Sequence, residues 1–166
     1  MDRVDIGAVA RNVSNLASTH PSRPDGVTIQ CIGPVTPLVI EGDEDLLHRA
    51  IFNLVLNATQ ASPINGEVRV DVAAVAAEDV PVGVVLDQGG AMIRVADQGP
   101  GIPAEVRDRL FDPFFTTKPG GSGLGLAVVH RAIESHRGYV FVDSEDPGTR
   151  MTVLLPLHQT EYGGGR

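Results

Sequence analysis

Two asparagines one helical turn apart, an aspartate at a strand end and a glycine-rich run entering a helix could do chemistry in this chain. Gly121-Ser122-Gly123-Leu124-Gly125-Leu126 leads directly into Ala127–Ile133, where apolar residues at 126, 129 and 133 predict a helix. Glycine lets a backbone approach a ligand closely. A helix N-terminus offers free N–H groups and a partial positive charge, and together these make an anion site. Phosphate is the natural guest. For this motif alone, a plain glycine-rich turn with Ser122 as N-cap is an equal reading. The spacing matches neither of the common phosphate loops, Gly-x-x-x-x-Gly-Lys-Ser/Thr or Gly-x-Gly-x-x-Gly after a strand. A nucleotide bound here needs a site of another kind.

The asparagines are Asn53 and Asn57, on the same face of a predicted helix and beside its apolar stripe. Asparagine is a mediocre helix former, so a pair at this spacing points to ligand contact, against the alternative of polar residues bordering the core. Amide oxygens are hard neutral ligands suited to magnesium, which is held by few protein groups together with substrate phosphates and water. The aspartate, Asp97, opens a long stretch to Leu126 that holds six glycines, three of the five phenylalanines (Phe111, Phe114 and Phe115) and the only lysine, Lys118. Long irregular stretches in compact domains are lids or disordered segments. Disordered segments lack aromatics, so an ordered lid over a ligand is expected.

These groups must be positioned by ordinary secondary structure. A first helix is expected over residues 7–19 after a short strand at Val4-Asp5-Ile6, with Val9, Val13 and Leu16 at helical spacing and Pro21 and Pro24 beyond its end. Val27–Ile32 alternates as a half-buried strand, and Leu38–Ile40 is the next strand. Asp43 caps the longest helix, whose acidic first turn suits its dipole. Its stripe is Leu47, Ala50, Ile51, Leu54, Ala58 and Ala61, ending before Pro63. Strands follow at Val68–Val72 and Met92–Ala96, the second delivering Asp97 to its end. Residues 73–90 carry only turn signals and a possible hairpin extension. The last helix runs from about 123, with His136 and Arg137 in its final turn and Gly138 as cap. Residues 139–142 and 149–155 close the chain as a hairpin around Asp146-Pro147-Gly148. The layout is α+β, a two-layer sandwich of a mixed, mainly antiparallel sheet with three helices on one face. Residues 1–160 form one domain, and 161–166 a disordered tail.

Composition excludes several classes. The net charge of −8 argues against nucleic acid as a partner. No apolar run approaches the ~20 residues of a membrane span, and the N-terminus is not laid out as a signal peptide. The single cysteine, Cys31, cannot form an internal disulfide and fits a reducing compartment. The five scattered histidines lack zinc-ligand spacing.

Four blocks thus stand in order: Asn-x-x-x-Asn, Asp-x-Gly-x-Gly, a Phe-rich lid and Gly-x-Gly-x-Gly at a helix start. Over roughly residues 4–157 the chain resembles the ATP-binding domain of sensor histidine kinases, in the superfamily shared with gyrases, heat-shock chaperones and MutL proteins. Asn53–Ala58 resembles the family's N box and Asp97–Gly101 its first glycine box. Phe111–Phe115 resembles its F box and Gly121–Leu126 its second glycine box. Phe-Phe-Thr-Thr-Lys-Pro is similar to the nitrogen-regulation type. The resemblance implies a Bergerat-type fold with a long ATP lid, ATP and Mg²⁺ as ligands, and roles for the residues. Asn57 would bind the Mg²⁺ that bridges the phosphates, with Asn53 assisting. Asp97 would accept a hydrogen bond from the adenine amino group, with Thr149 beside it. Gly99, Gly101 and Ile102 would lie where the lid leaves the base. Phe111 and Phe114 would anchor the lid, Gly123, Leu124, Gly125 and Leu126 would cradle the phosphates by backbone N–H groups, and Thr116, Thr117, Gly121 and Ser122 would belong to the same nucleotide site. Lys118 would reach the terminal phosphate as a point charge, with a solvated lid charge as its alternative. Many family members carry a basic residue three positions after the second asparagine, where this chain has Gln60; one phosphate contact is expected to be weaker.

ATP-hydrolysing relatives and anti-sigma serine kinases place a glutamate four positions before the second asparagine. Asn53 cannot act as a general base there, whereas a neutral imidazole acceptor needs less help. The expected activity is therefore that of a protein-histidine kinase, with an anti-sigma-type serine kinase or a non-catalytic ATP-binding module as alternatives. The resemblance implies a histidine phosphoacceptor and dimerisation domain and a response regulator as partners. It also implies a cytoplasmic location with no membrane contact by this domain. None of the histidines is followed by an acidic residue, so the chain is expected to be the catalytic domain alone and not to autophosphorylate.

Overall fold

The computed structural model describes residues 2–103, 105, 109, 125–144 and 147–159. Among the described residues, strands and α-helices follow in the order β1 (Asp2–Asp5), α1 (Ile6–Ser18), β2 (Thr28–Ile32), β3 (Val39–Gly42), α2 (Glu44–Ala61), β4 (Glu67–Val75), β5 (Gly90–Ala96), α3 (Gly125–Ser135), β6 (Tyr139–Ser144) and β7 (Thr149–Pro156). A five-stranded sheet has the order β2-β4-β5-β7-β6; β2 and β4 are parallel and every other pair is antiparallel. The first strand does not join it. β1 pairs with β3 in a separate two-stranded sheet, which the sequence pattern did not separate from the rest.

The three helices pack on one face of the large sheet, as expected. Alternation puts Val68, Val70 and Val72 of β4, Ala91, Ile93 and Val95 of β5, and Met151, Val153 and Leu155 of β7 on that face, all buried. The α2 stripe meets them: Leu47, Ala50, Ile51, Leu54 and Ala58 are buried, and the Asp43 carboxylate caps the helix by accepting from the Leu46 N–H at 3.2 Å. Thr59 is buried without penalty because its hydroxyl donates to the Val55 carbonyl at 2.7 Å. In α1 the buried face is Ile6, Val9, Ala10, Val13 and Ala17, while Leu16 is 49 % exposed. The core side of this helix is centred on its alanines, so Leu16 lies at the stripe's edge.

Residues 73–90 have more structure than their turn signals suggested. β4 continues to Val75, a single 3-10 turn forms at Ala77–Asp79, and the chain returns as β5, so β4 and β5 are a hairpin. Its connection straps the second face of the sheet. Val84 and Leu86 pack on Leu154, with Met92, Tyr139 and Phe141 around them, and the Val85 N–H donates to the Tyr139 hydroxyl at 3.1 Å. The register explains why only one end is covered. The row Ala73–Met92–Leu154–Tyr139 is apolar, whereas Arg69–Ala96–Arg150–Asp143 carries charge and faces water.

The end of α3 also differs from expectation. The left-handed residue is Arg137 (φ 60°), not Gly138. The Arg137 N–H donates to the Glu134 carbonyl at 2.9 Å and the Gly138 N–H to the Ile133 carbonyl at 2.9 Å, which is the Schellman pattern with Arg137 at C′. Gly138 is required for another reason: a Cβ there would stand 2.5 Å from the Leu154 carbonyl oxygen. His136 does not face solvent in the last turn but is fully buried.

Gly138→Ala should therefore lower stability by about 1–3 kcal/mol, as overpacking against backbone does. Gly33→Ala, whose Cβ would meet only Val72 Cβ at 3.7 Å, should change it little. Urea unfolding of both variants decides the matter, and equal midpoints would contradict this account of Gly138.

Candidate nucleotide site

The β5–β7 register creates the site. Ala96 pairs with Arg150, so Asp97 leaves the end of β5 opposite Thr149 at the start of β7, and the Asp97 N–H donates to the Thr149 carbonyl at 2.9 Å. Pro147-Gly148 presses on this point. Gly148 has φ +110°, and any Cβ there would collide with the Asp97 carbonyl. Asp97 is 9 % exposed and Thr149 6 % exposed. The Asp97 carboxylate folds back on its own loop and accepts from the Gly99 N–H at 2.8 Å, a local turn typical of Asp.

Burial is the largest influence on this carboxyl and pushes its pKa above the ordinary aspartate value, while the amides of Gly99 and Thr149 pull the other way. No cation pairs with it among the described residues. A buried carboxylate solvated mainly by amides retains acceptor capacity. A ligand donor such as an exocyclic amine would find a strong acceptor there.

The Asp97 loop is joined to the α2 end of the site. Gly99 lies so close to the carbonyl of Ala61, the last residue of α2, that a Cβ would collide with it, and Gln98 Oε1 accepts from the Glu67 N–H at 2.9 Å. Gly101 (φ +83°) passes the Gly148 carbonyl with space for no more than a tight Cβ contact at 3.2 Å. These two glycines thus have reasons within the chain itself, since they let the loop settle on α2 and on the β6–β7 turn. Ile102 is half-buried and packs on the main core. Asn53 and Asn57 are both half-buried on α2. Gly125 begins α3, with no atom of the described residues within 4 Å of a Cβ there, and Leu126 packs on the core. The structure thus gathers Asp97, Gly99, Gly101 and Thr149 at one point, next to the C-terminal end of the asparagine helix. Phe111, Phe114, Thr116, Thr117, Lys118, Gly121, Ser122, Gly123 and Leu124 lie outside the described residues, as does the tail 161–166.

Sequence reasoning missed one neighbour of the site. The Gln60 amide donates to Ser22 Oγ at 2.9 Å, and His20, bonded to the same Ser22 through Nδ1 at 2.8 Å, stacks obliquely on Phe52 at 6.3 Å. The α1–β2 loop is tied in this way to the outer side of α2. No periodicity could have indicated it.

The family described as "Histidine kinase-, DNA gyrase B-, and HSP90-like ATPase" matches residues 42–159. The chain is 40% identical over 122 residues to the sensor histidine kinase ZraS of Escherichia coli O157:H7, covering 73% of this chain and 24% of that protein. It is 35% identical over 163 residues to the sensory histidine kinase/phosphatase NtrB of Rhizobium leguminosarum bv. phaseoli, covering 92% and 40%. The chain therefore spans less than half the length of these relatives. Among solved structures, the mycobacterial sensor histidine kinase MprB superposes with a TM-score of 0.77 at 32% identity, covering 93% of this chain and 96% of that one. ShkA, solved full-length in complex with AMPPNP, superposes with a TM-score of 0.72 at 27% identity over 97% of this chain and 32% of its own. The expected Bergerat-type sandwich is therefore borne out, and the chain belongs to the histidine kinase-, DNA gyrase B- and HSP90-like ATPase family, within which it is a catalytic domain of the sensor histidine kinase type.

Proposed function

We propose that residues 1–160 bind Mg-ATP and transfer its γ-phosphoryl group to a histidine on a separate dimerisation and phosphoacceptor domain, from which a response regulator receives it. The observation that carries the nucleotide part is Asp97: a nearly buried carboxylate, partnered by backbone amides, at a strand end beside the asparagine helix. Its unprotonated oxygen accepts from the adenine amino group and selects against guanine, whose carbonyl would face it with a second acceptor. Thr149 borders the same point. Asn57, with Asn53 one turn earlier, offers amide oxygens to a magnesium ion, which would neutralise phosphate charge. In this reading Gly123–Leu126 would cradle the phosphates by backbone N–H groups, of which Gly125 and Leu126 begin α3, Lys118 would add a point charge, and Phe111 and Phe114 would anchor the lid.

The transfer needs little from the protein beyond positioning and charge. The acceptor imidazole nitrogen forms the new N–P bond as the bond from γ-phosphorus to the ADP oxygen breaks, and ADP leaves with that electron pair. Asn53 supplies no base, which favours an imidazole acceptor over serine or water. The domain acts in the cytoplasm; no helix among the described residues is long and apolar enough to cross a membrane.

With γ-labelled Mg-ATP, this chain alone should remain unlabelled. Adding a histidine phosphoacceptor domain should give acid-labile label on that domain. Acid-stable label on a serine would replace this reading with the anti-sigma-type kinase, and binding without any transfer would leave an ATP-binding module.

Titration calorimetry should show binding of ADP and ATP, strengthened by Mg²⁺, and none of GTP. Asn57→Ala should abolish the magnesium increment; an unchanged increment would remove Asn57 from the metal site. Asp97→Asn should weaken adenine nucleotides about 10–100-fold, the loss of one charge-assisted hydrogen bond of about 1.5–3 kcal/mol. It should leave the thermal midpoint of the nucleotide-free protein unchanged or raised, because it removes a desolvated charge and keeps an acceptor for Gly99.

The pH dependence has two opposite signs. Because the folded carboxyl titrates above its unfolded value, the folded state binds the proton more readily just above the ordinary aspartate range. This group's contribution to stability therefore increases as pH falls through that window. Adenine affinity falls over the same window, because protonation removes the acceptor. Affinity that stays level down to the ordinary aspartate range would contradict the role of Asp97.

A further inference from the structure

We propose that His136 is a positioning residue for phosphate binding, fixing the axial register of α3 against α2 through a hydrogen bond to the Asp43 amide. This inference rests on the Mg-ATP reading above. His136 is fully buried. Its Nδ1 lies 2.7 Å from the Ala132 carbonyl oxygen, which can only accept, and its Nε2 accepts from the Asp43 N–H at 2.9 Å. Both contacts fit the Nδ1–H tautomer. The ring therefore bridges the last turn of α3 and the N-cap of α2, 93 residues apart in sequence.

The site around the bridge is built for it. Gly42 lacks the Cβ that would stand 3.0 Å from Nε2. The His136 carbonyl accepts from Gln159 Nε2 at 2.6 Å, and the Gln159 N–H donates to Glu41 Oε1 at 2.7 Å. The Glu41 N–H donates in turn to the Leu157 carbonyl at 2.9 Å. The ends of β3 and α3, the start of α2 and the segment after β7 are thus held at one point.

That point is remote from the nucleotide, yet it sets the distance between two parts of the site. α3 runs back along α2 from the bridge. Asn57 is about 20 Å along α2 from its start and Gly125 about 16 Å along α3 from its end, at 1.5 Å per residue. Between them the two helices pack on one another, and Leu47, Ala50, Ile51 and Leu54 of α2 and Val129, Ala132 and Ile133 of α3 are buried in the one apolar core. Apolar burial is non-directional and alone would allow α3 to slide. A directional bond at one end fixes the register, and a stiff helix carries it to the other, where on the Mg-ATP reading Gly125 would approach the phosphates and Asn57 would hold the metal.

The consequence is a selective defect. Adenosine touches the Asp97 end of the site and should not depend on the bridge, whereas Mg-ADP should. With the full chain, dissociation constants for adenosine and Mg-ADP give the phosphate increment as their ratio. In His136→Phe, which fills the space without an acceptor, adenosine affinity should stay within twofold while the increment falls tenfold or more. His136→Gln, which keeps an acceptor, should restore most of it. A second pair reaches the same bond from α2 and stands in if His136→Phe does not fold. Asp43→Ala loses the cap and keeps the N–H, so its increment should be normal; Asp43→Pro loses the N–H and should show the defect. Parallel loss of adenosine and Mg-ADP affinity, or an unchanged increment in His136→Phe or Asp43→Pro, would overturn the positioning role. Failure of the wild-type chain to show any phosphate increment would instead sink the Mg-ATP reading.

Discussion

A carboxylate taken out of water at a strand end is the constraint on which the site depends. Asp97 is nearly buried and destabilised by desolvation, and burying charge without compensation is costly. The structure compensates with backbone. The Gly99 amide turns in to the carboxylate, Gly148 takes a left-handed conformation to reach the Asp97 backbone, and the β5–β7 ladder places Thr149 opposite. Every element of this arrangement uses a group that cannot move far, so the acceptor stays where the sheet register puts it.

The glycines show how the same residue type serves two purposes. Gly99 and Gly148 are needed because backbone passes backbone there, at the α2 end and at the Asp97 carbonyl. At Gly125, the first residue of α3, a Cβ would meet no atom of the described residues within 4 Å. Glycine at the start of a helix is in keeping with a backbone held open for an anion.

Much of this was legible in the chain. Asp43, the acidic first turn and the 47-50-51-54-58 stripe gave α2 nearly to the residue, because cap, dipole and burial all pointed the same way. Alternation found β4, β5 and β7, and the end of β5 located Asp97. Other features depend on partners far off in sequence. Gly138 read as the cap because glycine is the usual left-handed residue, but Arg137 takes that conformation and Gly138 answers to Leu154 across the sheet. Leu16 fell on the stripe by spacing, yet the core side of α1 is set by where α2, β2 and β4 lie. Residues 76–89 gave no period because only Val84 and Leu86 need to be buried, against a face made by three other strands.

His136 combines these lessons. Its sequence position suggested a cation easing a helix end, and in isolation that reading is sound. Folding instead removes the ring from water and gives each nitrogen a backbone partner, one in its own helix and one at the start of another. Apolar stripes specify which faces meet; they do not specify how far along each other two helices sit. In a site assembled from three separate elements, the strand end can rely on the ladder for its register, but α3 has no ladder. A directional bond at the buried end of the helix pair supplies that register, and it gives a reason for a histidine at a fully buried position.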